Sequence, residues 1–126
     1  ILAGDRQVYE VIGDLNERVA AGTEGKYGYN MAGAVVGATY PSDIRALRKR
    51  LEHTFFLVPG YGAQGGTAED VHYAFDKYGH GAIVNSSRGI MCAWKKTGKD
   101  GLDFAQAARD AAIAMREDIK QFVTIV

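Results

Sequence analysis

The stretch Phe55–Gly66 reads FFLVPGYGAQGG, and Gly81–Ile90, fifteen residues further along the chain, reads GAIVNSSRGI. Each begins as a short apolar run typical of a buried strand and breaks abruptly into glycine or serine before a helical pattern. Successive strand-to-helix junctions predict parallel strands, because a parallel pair needs a crossover connection that is usually a helix. These two junctions therefore indicate an α/β fold.

A helix and a strand are predicted ahead of these junctions. Apolar residues recur at helical spacing after Asp5, the expected N-cap, and Gly22 closes the pattern. The residues expected on its core face are Val8, Ile12, Leu15 and Val19. The run Gly33–Thr39, GAVVGAT, predicts a buried strand that ends at Pro41.

Two further strands and three helices complete the alternation. Ser42 is the expected cap of the second helix, and Thr67 that of the third, which Gly79 would terminate. The strands are expected at Phe55–Val58 and Ala82–Val84, and a long helix follows a polar loop at 95–101. The expected core faces of the three helices are Ile44, Leu47 and Leu51; Val71, Phe75 and Tyr78; and Phe104, Ala108, Met115, Ile119 and Phe122.

Three strands are few for a complete sheet. A typical sheet has about five or six strands, and the bare edges of a three-stranded parallel sheet are sites that proteins normally cover. Residues 1–126 are long enough for one domain. We expect that domain to be part of a larger structure, and the pattern leaves open whether its sheet is open or belongs to a closed barrel.

Composition excludes several classes of partner. The chain has 15 Lys and Arg against 15 Asp and Glu, so no basic field favours nucleic acid. No apolar run approaches the roughly 20 residues that span a membrane. Its single cysteine forms no internal disulfide and favours a reducing, cytoplasmic location. The three histidines show no metal-ligand spacing, so no metal site is expected.

The residues at the two junctions suit an anion such as phosphate. The glycines of Gly60–Gly66 permit close approach of backbone to a ligand, and the Gln64 amide can donate or accept a hydrogen bond. The N–H groups of Ser87, Arg88 and Gly89 would lie at a helix start, where the helix dipole favours an anion. Arg88 would add a bidentate charged contact. The plainer alternatives are a tight surface turn and a surface salt bridge.

The segments GAVVGATYP, FLVPGYGAQGG and IVNSSRGI, in this order and spacing, resemble the C-terminal part of the orotidine 5'-phosphate decarboxylase family, above all its longer bacterial subgroup. The segment VYEVIGDLNERVA resembles the preceding helix of that family. The resemblance covers nearly the whole chain and implies the sixth to eighth strands of a (β/α)8 TIM barrel. It also implies a homodimer and cofactor-free conversion of orotidine 5'-phosphate to uridine 5'-phosphate and CO2 in pyrimidine biosynthesis.

The resemblance also implies which residues hold the substrate. Gln64 matches the glutamine that contacts the phosphate and helps to close the active-site loop. Arg88 matches the phosphate-binding arginine, with the backbone of Ser87 and Gly89 beside it. The loops after the last two strands are where such barrels commonly hold phosphate.

The catalytic side of the family's active site has no match in this chain. Pro59 and Gly60 match the residues that open the loop near the pyrimidine, but the family's Asp-x-Lys-x-x-Asp motif is absent. The most similar segment is Asp118-Ile-Lys120, but Val123 stands at the position that the second aspartate would occupy. No catalytic residue is therefore assigned. We expect the chain to bind a phosphate ester weakly and not to turn it over alone.

Two other functions fit the pattern less closely. Another sugar-phosphate barrel enzyme would share the phosphate site, but not the close succession of PGYGAQGG and NSSRG. A non-enzymatic half-barrel could bind phosphate or pair its open edges with another chain. The partner would then be a second copy or a polypeptide that supplies the N-terminal half.

Overall fold

A sheet of three parallel strands, covered by helices on one face, forms the centre of the computed structural model, which describes all residues 1–126. Two short strands and a helix come first, and the sheet strands then alternate with helices. The elements in chain order are β1 (Leu2–Ala3), β2 (Arg6–Gln7), α1 (Val8–Ala20), β3 (Ala34–Val35), α2 (Pro41–Arg50), β4 (Phe56–Pro59), α3 (Ala68–His72), β5 (Ala82–Asn85), α4 (Ser87–Met91), a 3-10 turn (Ala93–Lys96) and α5 (Phe104–Ile119).

The predicted parallel sheet is confirmed, with strand order β3-β4-β5. In its register Phe56 lies between Ala34 and Ala82, and Pro59 lies opposite Asn85. The N–H of Ala38 still donates to the Pro59 carbonyl, at 2.8 Å. The first strand therefore continues along β4 beyond its two assigned residues, as the apolar run predicts. All three carboxyl ends meet at one edge of the sheet.

The core fills the space between the sheet and α2 and α3. Phe56 and Val58 on β4 are fully buried there, and the predicted α2 face is confirmed, since Ile44, Leu47 and Leu51 are all buried. Burying a side chain of this size contributes about 1.5–3 kcal/mol to stability. Most of the stability that comes from side-chain burial therefore arises on this face of the sheet.

The opposite face of the sheet is bare. Val35, Leu57 and Ile83 lie side by side in the register and are 69, 40 and 57% exposed. Side chains alternate between the two faces along a strand, so these three point away from the core that their neighbours build. We call them the bare row. An exposed apolar row across a sheet is the kind of surface that a further layer covers.

The predicted first helix is present, but its predicted core face is wrong. Of the four predicted residues only Val8 is half-buried; Ile12, Leu15 and Val19 are largely exposed, and Gly13 and Ala20 are buried instead. The reason is close packing on α2: a Cβ placed on Gly13 would lie 2.9 Å from Leu51. The side of α1 that carries Gly13 packs against Leu51 at the end of α2, and most of the apolar stripe faces solvent.

Two predicted N-caps are wrong and one is confirmed. Asp5 lies in the turn of the β1–β2 hairpin, and α1 begins after Gln7, whose N–H donates to the Glu10 carboxylate at 2.9 Å. Tyr40, not Ser42, caps α2, because Pro41 occupies the first helical position. The third cap is right: the Thr67 side chain accepts the N–H of Asp70 at 3.1 Å.

The third helix is shorter than predicted. It ends at His72, so Phe75 and Tyr78 lie beyond it and Gly79 sits in a turn rather than at its end. The Asp76 carboxylate accepts the N–H groups of Tyr78 and His80, each at 2.8 Å. An aspartate that bonds backbone ahead of it favours a turn over a helix.

The long last helix is present as predicted, but its expected core face is only partly covered. Ala108, Met115 and Ile119 are half-buried, whereas Phe104 and Phe122 are exposed and Phe122 lies beyond the helix end. Cover is incomplete because α5 packs mainly against α3, α4 and the 3-10 turn. No helix of the structure has the length and apolarity needed to cross a membrane.

Candidate functional site

A small cavity of about 70 Å³ lies at the carboxyl ends of β4 and β5. Five of the six residues predicted to bind substrate line it: Pro59, Gly60, Gln64, Ser87 and Arg88. The sixth, Gly89, lines a neighbouring cavity of about 830 Å³ that shares Arg88. The structure therefore brings the predicted residues together. Their role in binding phosphate stays a prediction.

The loop Gly60–Gly66, which we call the glycine loop, is closed by its own backbone. The N–H of Gly66 donates to the Gly60 carbonyl at 3.1 Å, and the N–H of Gly62 donates to the Gly66 carbonyl at 2.8 Å. Gly60 has φ +108°, where a side chain would be strained. A Cβ on Gly66 would lie 2.7 Å from the Cβ of Ala38. Glycine is required at both positions, because the turn is tight and packs closely on Ala38, three residues beyond β3.

Gln64 lies at the exposed tip of the glycine loop and folds back over it. Its Oε1 lies 3.3 Å from where a Cβ on Gly60 would stand. The structure gives the Gln64 side chain no protein hydrogen bond. Both its donor and its acceptor are therefore open to a ligand in the small cavity.

The end of β5 supplies the other wall of the cavity. The hydroxyl of the buried Ser86 donates to the Tyr61 carbonyl at 3.1 Å, which fixes this wall to the glycine loop. The first backbone bond of α4 runs from the N–H of Ile90 to the Ser86 carbonyl, at 3.0 Å. The N–H groups of Ser87, Arg88 and Gly89 therefore precede the helical bonds and have no backbone partner.

Arg88 is a free cation at this site. Its side chain is exposed and takes part in none of the four ion pairs of the structure. No carboxylate lines the small cavity. The site therefore offers a guanidinium, a primary amide and unpaired backbone N–H groups, with no carboxylate beside them. Such a set of donors suits an oxyanion far better than a cation or an apolar ligand.

Sequence reasoning missed four residues of the cavity wall: Tyr61, Ala63, Asn85 and Ser86. The Tyr61 phenol donates to the Asp118 carboxylate at 2.6 Å, and the Asn85 amide lies 3.2 Å from the Ser87 hydroxyl. The pKa of Tyr61 is raised to about 12, mainly by burial and next by this bond to Asp118. Tyr61 and Asn85 stand inside the quoted motifs, but Asp118 is 57 residues away, so no local pattern could have paired it with Tyr61.

The other strongly perturbed groups serve the fold. Asp14 on α1 pairs with Arg50 on α2 and with Arg6 of the hairpin, and these partners lower its pKa to about 2. Tyr29 donates to Asp76 at 2.7 Å at the opposite end of the sheet, and burial together with that bond raises its pKa to about 12. No cluster of His, Cys, Asp or Glu could hold a metal ion.

Comparison with known proteins gives consistent matches. The chain is 44% identical over 122 residues to the orotidine 5'-phosphate decarboxylase of Clostridium perfringens (strain SM101 / Type A), and 47% identical over 117 residues to that of Clostridium tetani (strain Massachusetts / E88). The solved OMP decarboxylase of Leishmania donovani superposes with a TM-score of 0.62 at 30% identity, over 94% of this chain and 41% of that one. No protein-family profile matches.

These matches cover most of this chain but less than half of each relative. The two clostridial alignments include 96 and 93% of the chain, yet 42 and 40% of the relatives' own lengths. The structure accordingly has the fold of a C-terminal portion of a (β/α)8 barrel, as predicted.

Proposed function

We propose that this chain, as a homologue of the C-terminal part of the orotidine 5'-phosphate decarboxylases, supplies the phosphate-binding side of that enzyme's active site. The proposal rests on one observation. Gln64 and the unpaired Arg88 line the same small cavity at the ends of the adjacent strands β4 and β5, and no carboxylate lines that cavity. This is the edge at which (β/α)8 barrels hold their active sites. The substrate is then orotidine 5'-phosphate and the product uridine 5'-phosphate, in pyrimidine biosynthesis in the cytoplasm.

In this proposal the chain binds and orients the substrate but does not carry out the decarboxylation. Gln64 and Arg88 hold the phosphoryl group, and Pro59 and Gly60 open the loop toward the pyrimidine. Contacts remote from the reacting carbon lower the barrier when their binding energy is realised in the transition state. The proton donor and its flanking carboxylates lie outside the 126 residues, since the sequence has no Asp-x-Lys-x-x-Asp motif. The isolated chain is therefore expected to bind weakly and to be inactive.

The active form, as we propose it, includes a complementary barrel part. Val35, Leu57 and Ile83 of the bare row lie on the face that a closed barrel would fill with side chains. Residues 1–126 form one partial-barrel domain in this arrangement. The completed barrel would dimerise with a second copy, as the family resemblance implies.

Substitution of Arg88 tests the proposed phosphate site. We expect the chain to bind uridine 5'-phosphate in an NMR titration, and Arg88→Ala to weaken that binding by about 1.5–3 kcal/mol, the value of a hydrogen bond to a charged group. Arg109→Ala is the matched control, because Arg109 is an exposed arginine of α5 with no ion pair. Equal affinity of Arg88→Ala and the unmodified chain would reject the assignment.

A second candidate, an interaction module, is favoured by the bare row alone. A chain of this kind would self-associate through that apolar face and would have no affinity for nucleotide. Light scattering combined with the same titration separates the two functions. A stable oligomer that binds no uridine 5'-phosphate would favour the module.

A further inference from the structure

Tyr61 connects three parts of the candidate site. Its phenol donates to the Asp118 carboxylate on α5 at 2.6 Å, and its carbonyl accepts the Ser86 hydroxyl at 3.1 Å. Its backbone also pairs with Gly66 as a single bridge across the glycine loop. One residue therefore ties the loop to the end of β5 and to the last helix.

These connections matter because the two predicted phosphate-binding side chains stand on different segments. Gln64 lies on the glycine loop, and Arg88 lies on α4 after β5. The structure contains no hydrogen bond between them. Gly62, Gly65 and the residues between them are all exposed, so the loop tip packs on little. The contacts of Tyr61 with Ser86 and Asp118 are the side-chain hydrogen bonds that fix the loop relative to Arg88.

We propose that Tyr61 is a positioning residue for the phosphate site: it holds the glycine loop against β5 and α5, so that Gln64 and Arg88 bind the same phosphoryl group. This inference rests on the proposed function. Tyr61 acts through the loop; its phenol is engaged with Asp118 and need not touch the ligand. Because the pKa of Tyr61 is raised to about 12, the phenol remains a donor throughout the neutral range.

The structure offers a matched control at the other end of the sheet. Tyr29 donates to Asp76 at 2.7 Å, and its pKa is also raised to about 12. Tyr29 lies far along the chain from the glycine loop and lines neither cavity beside Arg88. The change Tyr29→Phe thus removes the same kind of bond from the fold without touching the candidate site.

The experiment compares Tyr61→Phe, Tyr29→Phe and Asp118→Ala in the whole chain. We expect both tyrosine variants to lose stability in urea, while only Tyr61→Phe weakens uridine 5'-phosphate binding, by about 3- to 10-fold for the loss of one hydrogen bond. Asp118→Ala should weaken binding to the same extent, because alanine offers the phenol no acceptor, and the double variant Tyr61→Phe/Asp118→Ala no further. Unchanged affinity in Tyr61→Phe, equal weakening by Tyr29→Phe, or additive losses would overturn the proposal.

A second measurement decides the role of Tyr61 without ligand. Backbone ¹⁵N relaxation should show the Gln64 amide ordered in the unmodified chain and in Tyr29→Phe, and mobile in Tyr61→Phe. If the Gln64 amide is equally mobile in all three, Tyr61 does not position the loop. A chain that keeps this order but binds no uridine 5'-phosphate would instead refute the proposed function.

Discussion

Two arginines show how the surroundings of a residue decide its role. Arg48 on α2 lies over the Phe56 ring at 4.1 Å and donates to backbone carbonyls, among them Thr54 at 2.8 Å and Gly81 at 3.2 Å. Burial lowers the pKa of Arg48, but these acceptors satisfy the cation. Arg88 has no such partners. Arg48 therefore stabilises the fold at the amino ends of the strands, and Arg88 is free to bind a ligand.

The glycine loop yields a prediction at this scale. Replacing Gly66 by alanine would place a Cβ 2.7 Å from Ala38 and 2.9 Å from the Gly60 carbonyl oxygen. Because backbone must shift to relieve this contact, we expect Gly66→Ala to cost about 1–3 kcal/mol of unfolding free energy and to weaken nucleotide binding. Urea denaturation and the titration measure both effects.

The control for that change is Gly25→Ala. Gly25 lies in the loop after α1, and the nearest atom to its added Cβ is the Tyr29 carbonyl oxygen at 3.8 Å. We expect little change in stability or affinity there. If Gly66→Ala is tolerated as well as Gly25→Ala, the close packing of the glycine loop on Ala38 is wrong.

At the scale of elements, α1 is attached to the rest of the molecule mainly by polar contacts. Asp14 pairs with Arg50 on α2, at 2.6 Å between Oδ2 and the Arg50 Nη2, and also with Arg6. The Glu17 carboxylate accepts the N–H of His53 at 2.7 Å. The apolar stripe of α1 contributes little to this attachment, since Ile12, Leu15 and Val19 are largely exposed.

The Asp14 pairs make a pH-dependent prediction. The folded-state pKa of Asp14 is about 2, below the ordinary value of 3.8. A lowered carboxyl pKa contributes stability that is present above the unfolded-state value and is lost as pH falls through the folded-state value. We therefore expect Asp14→Asn to lower the urea midpoint at pH 7, and the difference from the unmodified chain to shrink between about pH 4 and pH 2. The partners lie at the surface, so the difference is small.

A difference that persists unchanged at pH 2 would contradict an electrostatic role for Asp14. Asp110→Asn serves as the comparison, since Asp110 lies on α5 and is bonded to Gln106, a neutral side chain. That variant should show no trend over the same pH range.

In the molecule as a whole, helices cover one face of the sheet, and the other face exposes the bare row. The adjacent residues Leu57 and Val58 point to opposite sides: Leu57 is 40% exposed, and Val58 is fully buried. In the isolated chain, truncation of these neighbours should therefore have unequal effects. In a completed barrel both would be core residues.

This difference is testable with two alanine variants. We expect Val58→Ala to lower the free energy of unfolding by about 2 kcal/mol, from lost burial and a residual cavity. Leu57→Ala should lower it by only about 1 kcal/mol, because Leu57 is 40% exposed. Chemical denaturation of the isolated chain measures both. Adding a complementary barrel part should make Leu57→Ala costly, and equal costs in the isolated chain would show that the bare row is already covered.

Local sequence patterns were enough to predict the α/β class, the three parallel strands and the two junctions that carry Gln64 and Arg88. These features depend on local patterns: strand-like apolar runs, glycine where backbone must turn tightly, and Thr67 as a cap. Two predictions were wrong because of local features: the Asp76 turn shortened α3, and Pro41 displaced the cap at Ser42. A third was wrong because contacts between distant segments decide the outcome: the side of α1 that carries Gly13, not its apolar stripe, packed on α2.

The folded structure was needed to show that one cavity is lined by Pro59, Gly60, Gln64, Ser87 and Arg88, and that no acid lines it. It also decided that Tyr61 is tied to Asp118 and that Val35, Leu57 and Ile83 form a bare row. The physical reason is the same in each case. Composition and periodicity specify which face of a segment is apolar, whereas side-chain partners and burial depend on which segments meet, and these lie tens of residues apart in the chain.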